Sequence, residues 1–402
     1  MTGPTPDALA LGLSVVGLAY VYGGYAGLMV ALAALRRALR VPSAGATHPG
    51  FDDAPSPNVT VVLPALDEAD AIEAKLDDLF DTHHPLERLQ VIVVSDGSTD
   101  GTDERTAAYA ARHPERSVDV LAFPENRGRA AAHNAGVLRA RGDVIVATDV
   151  ATRFRPDTLP ALVAPFADAS VGVVGGVVTY ATSQDDDGVG QGYERYRSME
   201  TTLRDAETAL GVLCKTDGPC TAFRTSLWQE ERDFEDVDQV IVPIARRAGY
   251  VAVQARDAQC TDVSNVSAAQ DVKQRARMTR KALLSTFHRW GWRDVVRDPA
   301  FTFSLASHKL VRFTSPFLVL TAIVATARLT ASAVGAGPAI ALVLIAAGAG
   351  GWLVARPAPR QAPLRLARAF LVAQLGFARG VVGWWLGDRE GRYAPTRRTT
   401  GS

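Results

Sequence analysis

Val91 to Gly101 reads VIVVSDGSTDG, and this stretch limits the possible folds more than any other. Five β-branched or small apolar residues end abruptly in an acidic, Gly-rich turn, after which Thr102 could cap a helix. The pattern describes a strand buried on both faces. It delivers Asp96 to the carboxyl edge of a sheet, where open α/β sheets bind ligands.

The same pattern recurs from Asn58 to about Trp292. VTVVLP (Val59–Pro64), Val91–Ser95, Val118–Phe123 and DVIVATD (Asp143–Asp149) read as strands. Helical spacing follows each, at Ala69–Phe80, through Tyr109, at Arg129–Ala140 and at Pro156–Phe166. Such alternation predicts a mainly parallel sheet with helices on both faces. Val171–Tyr180 continues the sheet, and long polar helices are predicted at roughly Gly190–Leu210, Asp238–Ala248 and Ala268–Phe287.

The ends of the 402-residue chain are far more apolar than its middle. Ala8–Leu35 is almost free of charge and longer than the about 20 apolar residues a hydrocarbon core requires. No basic segment precedes it and Asp7 is acidic, which argues against a cleaved signal. Arg36, Arg37 and Arg40 follow, so the positive-inside rule places the N-terminus outside and the next segment in the cytoplasm. Gly23 and Gly27 form a GxxxG that reads as chance in a Gly-rich helix. Pro42–Pro57 reads as a linker. Beyond Trp292, Phe301–Phe313 suits a helix lying in the membrane interface. Thr314–Val334 is a second span whose Arg328 would snorkel outward, and Ala339–Ala355 is a third. Arg356–Arg368 carries four arginines and no acid, which makes it a cytoplasmic loop. Ala369–Leu386 either spans or lies in the interface. Arg379 in its middle, and Arg389, Arg392, Arg397 and Arg398 after it, favour the interface.

These readings divide the chain into an N-terminal transmembrane helix (1–40), a linker (41–57), a cytoplasmic α/β domain (58–292) and an interfacial helix (293–313). Transmembrane or interfacial helices (314–387) and a basic tail (388–402) complete it. Lys+Arg and Asp+Glu are balanced at 43 each, so nothing draws the chain as a whole toward nucleic acid. Cys214, Cys220 and Cys260 are an odd number without metal-ligand spacing and read as reduced cytosolic thiols.

Four clusters stand just after predicted strands: Asp67–Glu68, Asp96, Asn126 with Arg127 and Arg129, and Asp149. Any one of them is an ordinary capping choice. Four on one sheet edge converge on one crevice. Chemically they describe a nucleotide-diphosphate site. Asp96 accepts hydrogen bonds from a base or ribose, Arg127 and Arg129 carry fixed charge for a diphosphate, and Gly128 lets backbone approach it. Asp149 is an oxygen ligand for a hard divalent cation. The chain has no Walker spacing, and no GxGxxG follows the first strand. His133, in an Ala-rich helix, reads as a packing residue. Tyr193, Tyr196, Trp228, Trp290 and Trp292 read as packing or interface anchors. Asp185–Asp187 reads as a loop.

PALDE (Pro64–Glu68), VVSDGSTDGT (Val93–Thr102), NRGRAAAHNAG (Asn126–Gly136), TDVAT (Thr148–Thr152) and DGPCTAFR (Asp217–Arg224) resemble the signatures of inverting family 2 glycosyltransferases. The resemblance continues through EDVDQVIVPIARRAGY, with Asp238 eleven residues before Gly249, and QRARM (Gln274–Met278), similar to the QxxRW of processive members. SHKLVR (Ser307–Arg312) and YAPTRR (Tyr393–Arg398) also resemble membrane-bound synthases of the cellulose and hyaluronan type. The resemblance implies a GT-A (Rossmann-like) fold. It further implies a multi-pass inner- or plasma-membrane enzyme of cell-envelope synthesis, whose catalytic domain is cytoplasmic.

Its roles carry over residue by residue. Pro64, Asp67, Glu68, Asp96, Asn126, Arg127, Arg129 and Asp149 would surround a UDP- or GDP-linked sugar, and Asp149 would hold Mg²⁺ or Mn²⁺. Asp238 would be the general base. Asp217 and Gly218 would lie on the acceptor side, and Gln274, Arg275 and Arg277 would bind acceptor or diphosphate. Arg275–Lys281 also suits a basic patch on anionic lipid. The family's DxD metal motif here reads Asp149-Val150-Ala151, and Met278 replaces the Trp of QxxRW. The implied activity is sugar transfer to a growing polysaccharide or lipid-linked saccharide. The alternatives are single-sugar transfer to a polyprenyl phosphate or glycolipid, and a non-catalytic scaffold with a degraded metal site.

Overall fold

The computed structural model describes residues 4–41, 56–181, 189–263, 268–355 and 361–388. The linker over 42–55, Asp185–Asp187, Arg356, Arg360 and the tail from Arg389 lie outside the described residues, as do the side chains of Tyr193 and Tyr196.

A long helix, α1 (Pro6–Ala38), opens the chain and contains a π-helical turn at Tyr20–Gly24. The α/β part follows as β1 (Val59–Ala65), α2 (Ile72–Phe80), β2 (Leu89–Asp96), α3 (Thr102–Arg112), β3 (Ser117–Phe123), α4 (Arg129–Leu138) and β4 (Val144–Ala147). Then come β5 (Arg153–Phe154), α5 (Thr158–Val163), β6 (Val171–Ala181), α6 (Val189–Leu210), β7 (Thr221–Arg224), α7 (Val237–Arg247), β8 (Val251–Val263) and α8 (Ala268–Arg289). The C-terminal helices are α9 (Trp292–Arg297), α10 (299–313, with a π-helical turn at Ala306–Leu310), α11 (Ser315–Val334), α12 (Ala336–Ala355) and α13 (Ala362–Trp385).

The eight strands form one sheet in the order β3-β2-β1-β4-β7-β6-β8-β5. β1, β2, β3 and β4 are mutually parallel, as the alternation requires. β6 and β8 also pair in parallel, so the sheet is mainly parallel as expected; it is mixed only through β7, antiparallel to both β4 and β6, and short β5, antiparallel to β8. Every residue of β2 is buried, and the β-branched side chains of β1, β2 and β4 form the centre of the core. Each such side chain contributes about 1.5–3 kcal/mol when fully buried. The three cysteines are buried and unpaired. Trp228 stacks on Phe223 and Trp290 packs on Phe301, both as packing residues.

Four helices among the described residues are long and apolar enough to cross a membrane: α1, α11, α12 and the Pro363–Trp385 portion of α13. At 33 residues α1 is roughly 50 Å long, more than the ~30 Å of a hydrocarbon core. Its second half is taken up by the α/β part, with Tyr25, Met29 and Ala33 packed against Leu203, Ala206 and Val212. The first half pairs with α11, running in the opposite direction: Gly17 faces Leu318, and Arg328 lies 3.3 Å from Asp7. No described atom comes within 4 Å of a Cβ placed at Gly23 or Gly27, so this GxxxG makes no close helix contact among the described residues. α13 lies along polar α8 at backbone distance. A Cβ at Gly376 would fall 2.6 Å from Arg275 Cβ, and one at Gly380 2.6 Å from Thr279 Cβ.

α10 departs from the interfacial reading. Phe301 and Leu305 are buried against the α/β core, and Ser307, His308 and Lys309 are buried in succession. A regular helix turns one of three consecutive residues outward. The π-turn adds a residue to the turn and lets all three face inward. His308 Nδ1 lies 2.8 Å from Glu207 and Nε2 lies 2.8 Å from Glu200. The Tyr25 hydroxyl donates to Glu207 at 2.7 Å, Lys215 lies 2.8 Å from Glu200, and the Tyr20 hydroxyl donates to Ser307. One polar network thus joins α1, α6 and α10 where the apolar helices meet the sheet domain.

Burial opposes the charge on His308, yet the carboxylates of Glu207 and Glu200 hold its pKa well above the ordinary 6.5. Stability from this raised value is fully present below pH 6.5 and is lost as pH rises through the folded-state pKa. His308→Leu leaves two buried carboxylates facing an apolar group and is expected to cost about 3–5 kcal/mol. In denaturant titrations the wild type should lose stability as pH rises above 6.5, with a slope that His308→Gln removes. An unchanged slope would show that His308 is not charged in the folded protein.

Candidate functional site

The carboxyl ends of β1, β2 and β4 lie side by side, with Ala65 in register with Ser95. Their loops are tied together by side chains. Asp67 adopts a left-handed backbone (φ 54°) and accepts from the Thr99 amide at 2.8 Å, while its own amide donates to Ser98. The Glu68 amide donates to Thr102 Oγ1 and the Ala69 amide to Asp100, each at 2.9 Å. Thr102 is the first residue of α3 and not its cap; Asp100 accepts from the Thr102 amide.

Asp96 ends β2 and is 5% exposed. One carboxylate oxygen accepts from the Arg127 amide at 2.7 Å and the other from the Gly128 amide at 2.9 Å. Burial raises its pKa, and the two amides oppose that rise. Asp96 therefore fixes the loop before α4. Gly97 makes that approach possible: at φ 75°, a Cβ would sit 2.4 Å from the Asn126 amide nitrogen. Pro64 lies within β1 opposite Val94, and Asn126 is exposed.

The loop separates its two arginines. Arg127 is exposed and stacks over Phe123, with 4.8 Å to the ring centroid. Arg129 turns inward and donates to Asp149 at 2.6 Å. Behind Asp149, buried Lys75 donates to the Thr152 carbonyl at 2.5 Å, and Asp78 accepts from the Phe154 amide. These contacts hold the turn that presents Asp149.

Asp238 stands in the first turn of α7 and is partly buried. Gln239 donates to it at 2.6 Å, and a Cβ at Gly218 would lie 3.5 Å from its carboxylate, so the Asp217–Gly218 loop is its neighbour. Burial and then the charge of Asp236 push Asp238 up to about 6, while Arg129 and Lys309 pull it down. Around Arg129, burial disfavours the charge, but Asp149, Asp236, Asp238 and Glu231 together raise its pKa. The structure thus brings Asp149, Arg129, Asp238 and Gly218 to one place. Asp217 is held by a two-pronged bond from Arg204, at 2.6 and 2.8 Å.

Gln274 lies on the exposed side of α8, and Arg275 donates to Asp271 and packs under Gly376. Two α8 side chains reach the acidic segment: Lys281 lies 2.8 Å from Asp236, and Arg289 grips fully buried Glu235 at 2.7 and 2.6 Å. Sequence reasoning missed Asp236, Glu231 and Lys309. The EDVD run was the only signal for the first. His133, read as a packing residue, is buried and lies 3.1 Å from Glu231.

For a divalent cation, Asp149 offers the oxygen that Arg129 leaves open. One carboxylate with substrate phosphates is a donor set such ions accept. Glu207, Cys214 and His308 also lie close enough to share an ion. Both His308 nitrogens already face carboxylates there, and Glu207 accepts from Tyr25 and Ser304. Those contacts fall on Glu207 Oε1, and Oε2 is buried without a hydrogen-bond partner among the described residues; with a thiol and an imidazole as the other donors, a hard oxygen-seeking ion fits the cluster poorly.

Residues 60–230 match the model of glycosyl transferase family 2. The dolichyl-phosphate beta-glucosyltransferase of Drosophila melanogaster is 36% identical over 119 residues, covering 28% of this chain and 36% of that protein. Its Homo sapiens counterpart is 30% identical with the same coverage, and the glycosyltransferase AglE of Haloferax volcanii is 27% identical over 143 residues, 36% of this chain and 45% of that one. The chain thus spans between about a third and a half of the length of these curated relatives. Among solved structures, the mannosyltransferase PcManGT of Pyrobaculum calidifontis, in complex with GDP-Man and Mn²⁺, superposes with a TM-score of 0.68 at 24% identity. That match covers 95% of this chain and 100% of that one. Residues 60–230 are thus similar to family 2 glycosyltransferases, the fold is of the GT-A type, and the chain adds helices apolar enough for a membrane.

Proposed function

We propose that this protein transfers a sugar, with inversion, from a nucleoside-diphosphate sugar to a lipid-linked acceptor at the membrane surface, with Asp238 as the general base. The observation that carries this reading is the placement of Asp238. It is a carboxylate raised to about 6, beside the Asp217–Gly218 loop and in the field of an arginine anchored to Asp149. A base with a pKa near the working pH removes a proton most effectively. Asp238 takes the proton of the acceptor as its oxygen attacks the anomeric carbon. The bond to the leaving phosphate breaks, and its electron pair stays on the nucleoside diphosphate. Arg129 stands where that negative charge develops. A divalent cation held by Asp149 would neutralise diphosphate charge when bound. Asp67, Asp96 and Gly97 shape the donor pocket by locking the strand-end loops. The dolichyl-phosphate relatives and the GDP-Man and Mn²⁺ in PcManGT support a nucleotide donor, a lipid acceptor and a divalent ion.

The membrane arrangement that best accommodates the contacts has the first half of α1 crossing antiparallel to α11, with α12 returning. α13 then lies at the surface, because its partner α8 carries Asp271, Lys273, Arg275 and Arg280, which hydrocarbon would not tolerate. We read the catalytic domain as cytoplasmic in a multi-pass protein, a reading supported by Arg36, Arg37 and Arg40 at the end of α1.

Membranes carrying the protein, given a panel of UDP- and GDP-sugars with Mg²⁺ or Mn²⁺, should release nucleotide and label a lipid or saccharide product. No turnover with any donor would refute the reading. Asp238→Asn should lower transfer by roughly 10²–10⁴-fold while nucleotide binding stays largely intact. In the wild type the transfer rate should be fully present above about pH 6 and fall as pH drops through that value, as the carboxylate takes up its proton. A flat profile between pH 5 and 7 would move the base elsewhere, with Asp236→Asn the next variant to measure.

A further inference from the structure

We infer that Lys309 receives the phosphate of the acceptor, so that the lipid-linked acceptor presents a phosphate group directly beside Asp238. The inference rests on the transfer reading above and names the acceptor's chemical class.

Lys309 is 5% exposed, and its ammonium has no hydrogen-bond partner among the described residues. A buried cation with three unmet N–H donors is costly, and such a group calls for a ligand. The charges near it are Asp238 on α7 and Lys215 with the Cys214 thiol on the loop before β7. Lys215 is already committed to Glu200 at 2.8 Å. The adjoining His308 is committed to Glu200 and Glu207, which pins the π-turn and keeps Lys309 inward. Lys309 is therefore a held cation next to the proposed base. Burial lowers its pKa to about 8, which leaves it mostly charged at neutral pH.

This cation comes from a different element than those assigned to the donor. Arg127 and Arg129 flank the loop after β3 at the sheet edge. Lys309 stands six residues before apolar α11 begins at Ser315, roughly 9 Å along a helix. That is headgroup depth. A phosphomonoester carried on a lipid would lie between Lys309 and Asp238. Its P–OH proton would pass to Asp238 as the oxygen attacks the anomeric carbon.

The test uses the full chain in nanodiscs with the donor that the panel identifies. Its two acceptors are a polyprenyl phosphate and a neutral alkyl glycoside. Lys309→Met should raise KM for the phosphate acceptor on the order of 10- to 100-fold, the usual weight of a charge-assisted hydrogen bond. The Kd for nucleoside diphosphate should stay unchanged, and Lys309→Arg should recover part of the loss. Because the methionine removes an unpaired buried charge, the variant should unfold at no lower denaturant concentration than the wild type. A lower midpoint would make Lys309 a structural residue. Weaker nucleotide binding in Lys309→Met would assign the cation to the donor. A loss confined to kcat with a displaced pH profile would mean that it acts through Asp238. Each of these results overturns the inference, as would an unchanged KM. Transfer by the wild type to the glycoside but not to the lipid phosphate would also end it, leaving glycosyl transfer standing. Absence of turnover with every acceptor would instead remove the transfer reading itself.

Discussion

Arg129 is the charge on which the candidate site depends. It bonds Asp149 after β4 and lies in the fields of Asp236 and Asp238 on α7 and of buried Glu231. Two acidic regions far apart in sequence, Asp149 and the 231–238 segment, would repel one another without it. Carboxylates gathered at partial burial are stable only around a fixed positive charge. The same guanidinium limits how far Asp238 rises, since burial and Asp236 push it up while Arg129 pulls it back. One residue thus organises the sheet edge and sets the poise of the proposed base.

The second constraint is the junction with the apolar helices. α1 is too long for a bilayer, and its second half becomes part of the α/β body through Tyr25, Met29 and Ala33. α10 does the same from the other end, burying Phe301 and Leu305 in the core and His308 between two carboxylates. The site is therefore fixed relative to the apolar helices by packing and by charge. In the proposed reading, Asp238 and Lys309 then stand where water-soluble donor and lipid-borne acceptor can meet.

Much of this was legible in the sequence wherever the information was local. Strands β1, β2 and β4 were readable because each is a buried apolar run ending in a polar turn, and edge strand β3 because its half-buried run ends the same way; Asp96, Arg129 and Asp149 stood near those ends. Strands β7 and β8 were not readable. β7 has only four residues, and β8 (VAVQARDAQCTDV) carries charges that break any alternation. The pairing of Asp236 with Lys281 and of Glu235 with Arg289 joins residues 45 and 54 positions apart, which no periodicity records. α10 was read as an amphipathic surface helix because its cations suit headgroups. The π-turn that faces His308 and Lys309 inward leaves no mark in the hydrophobic pattern. QRARM was recognised by likeness, whereas Lys281 and Arg289, farther along α8 and in contact with the acidic segment, carry no motif.

The central claim is a single displacement assisted by one carboxylate, Asp238, and its stereochemistry is directly observable. The anomeric carbon–proton coupling of the product, measured by NMR for an α-linked nucleotide-sugar donor, distinguishes the two outcomes. The account predicts a β-linked product with no α anomer formed. An α-linked product would require two displacements or a different mechanism, and would contradict the role given to Asp238.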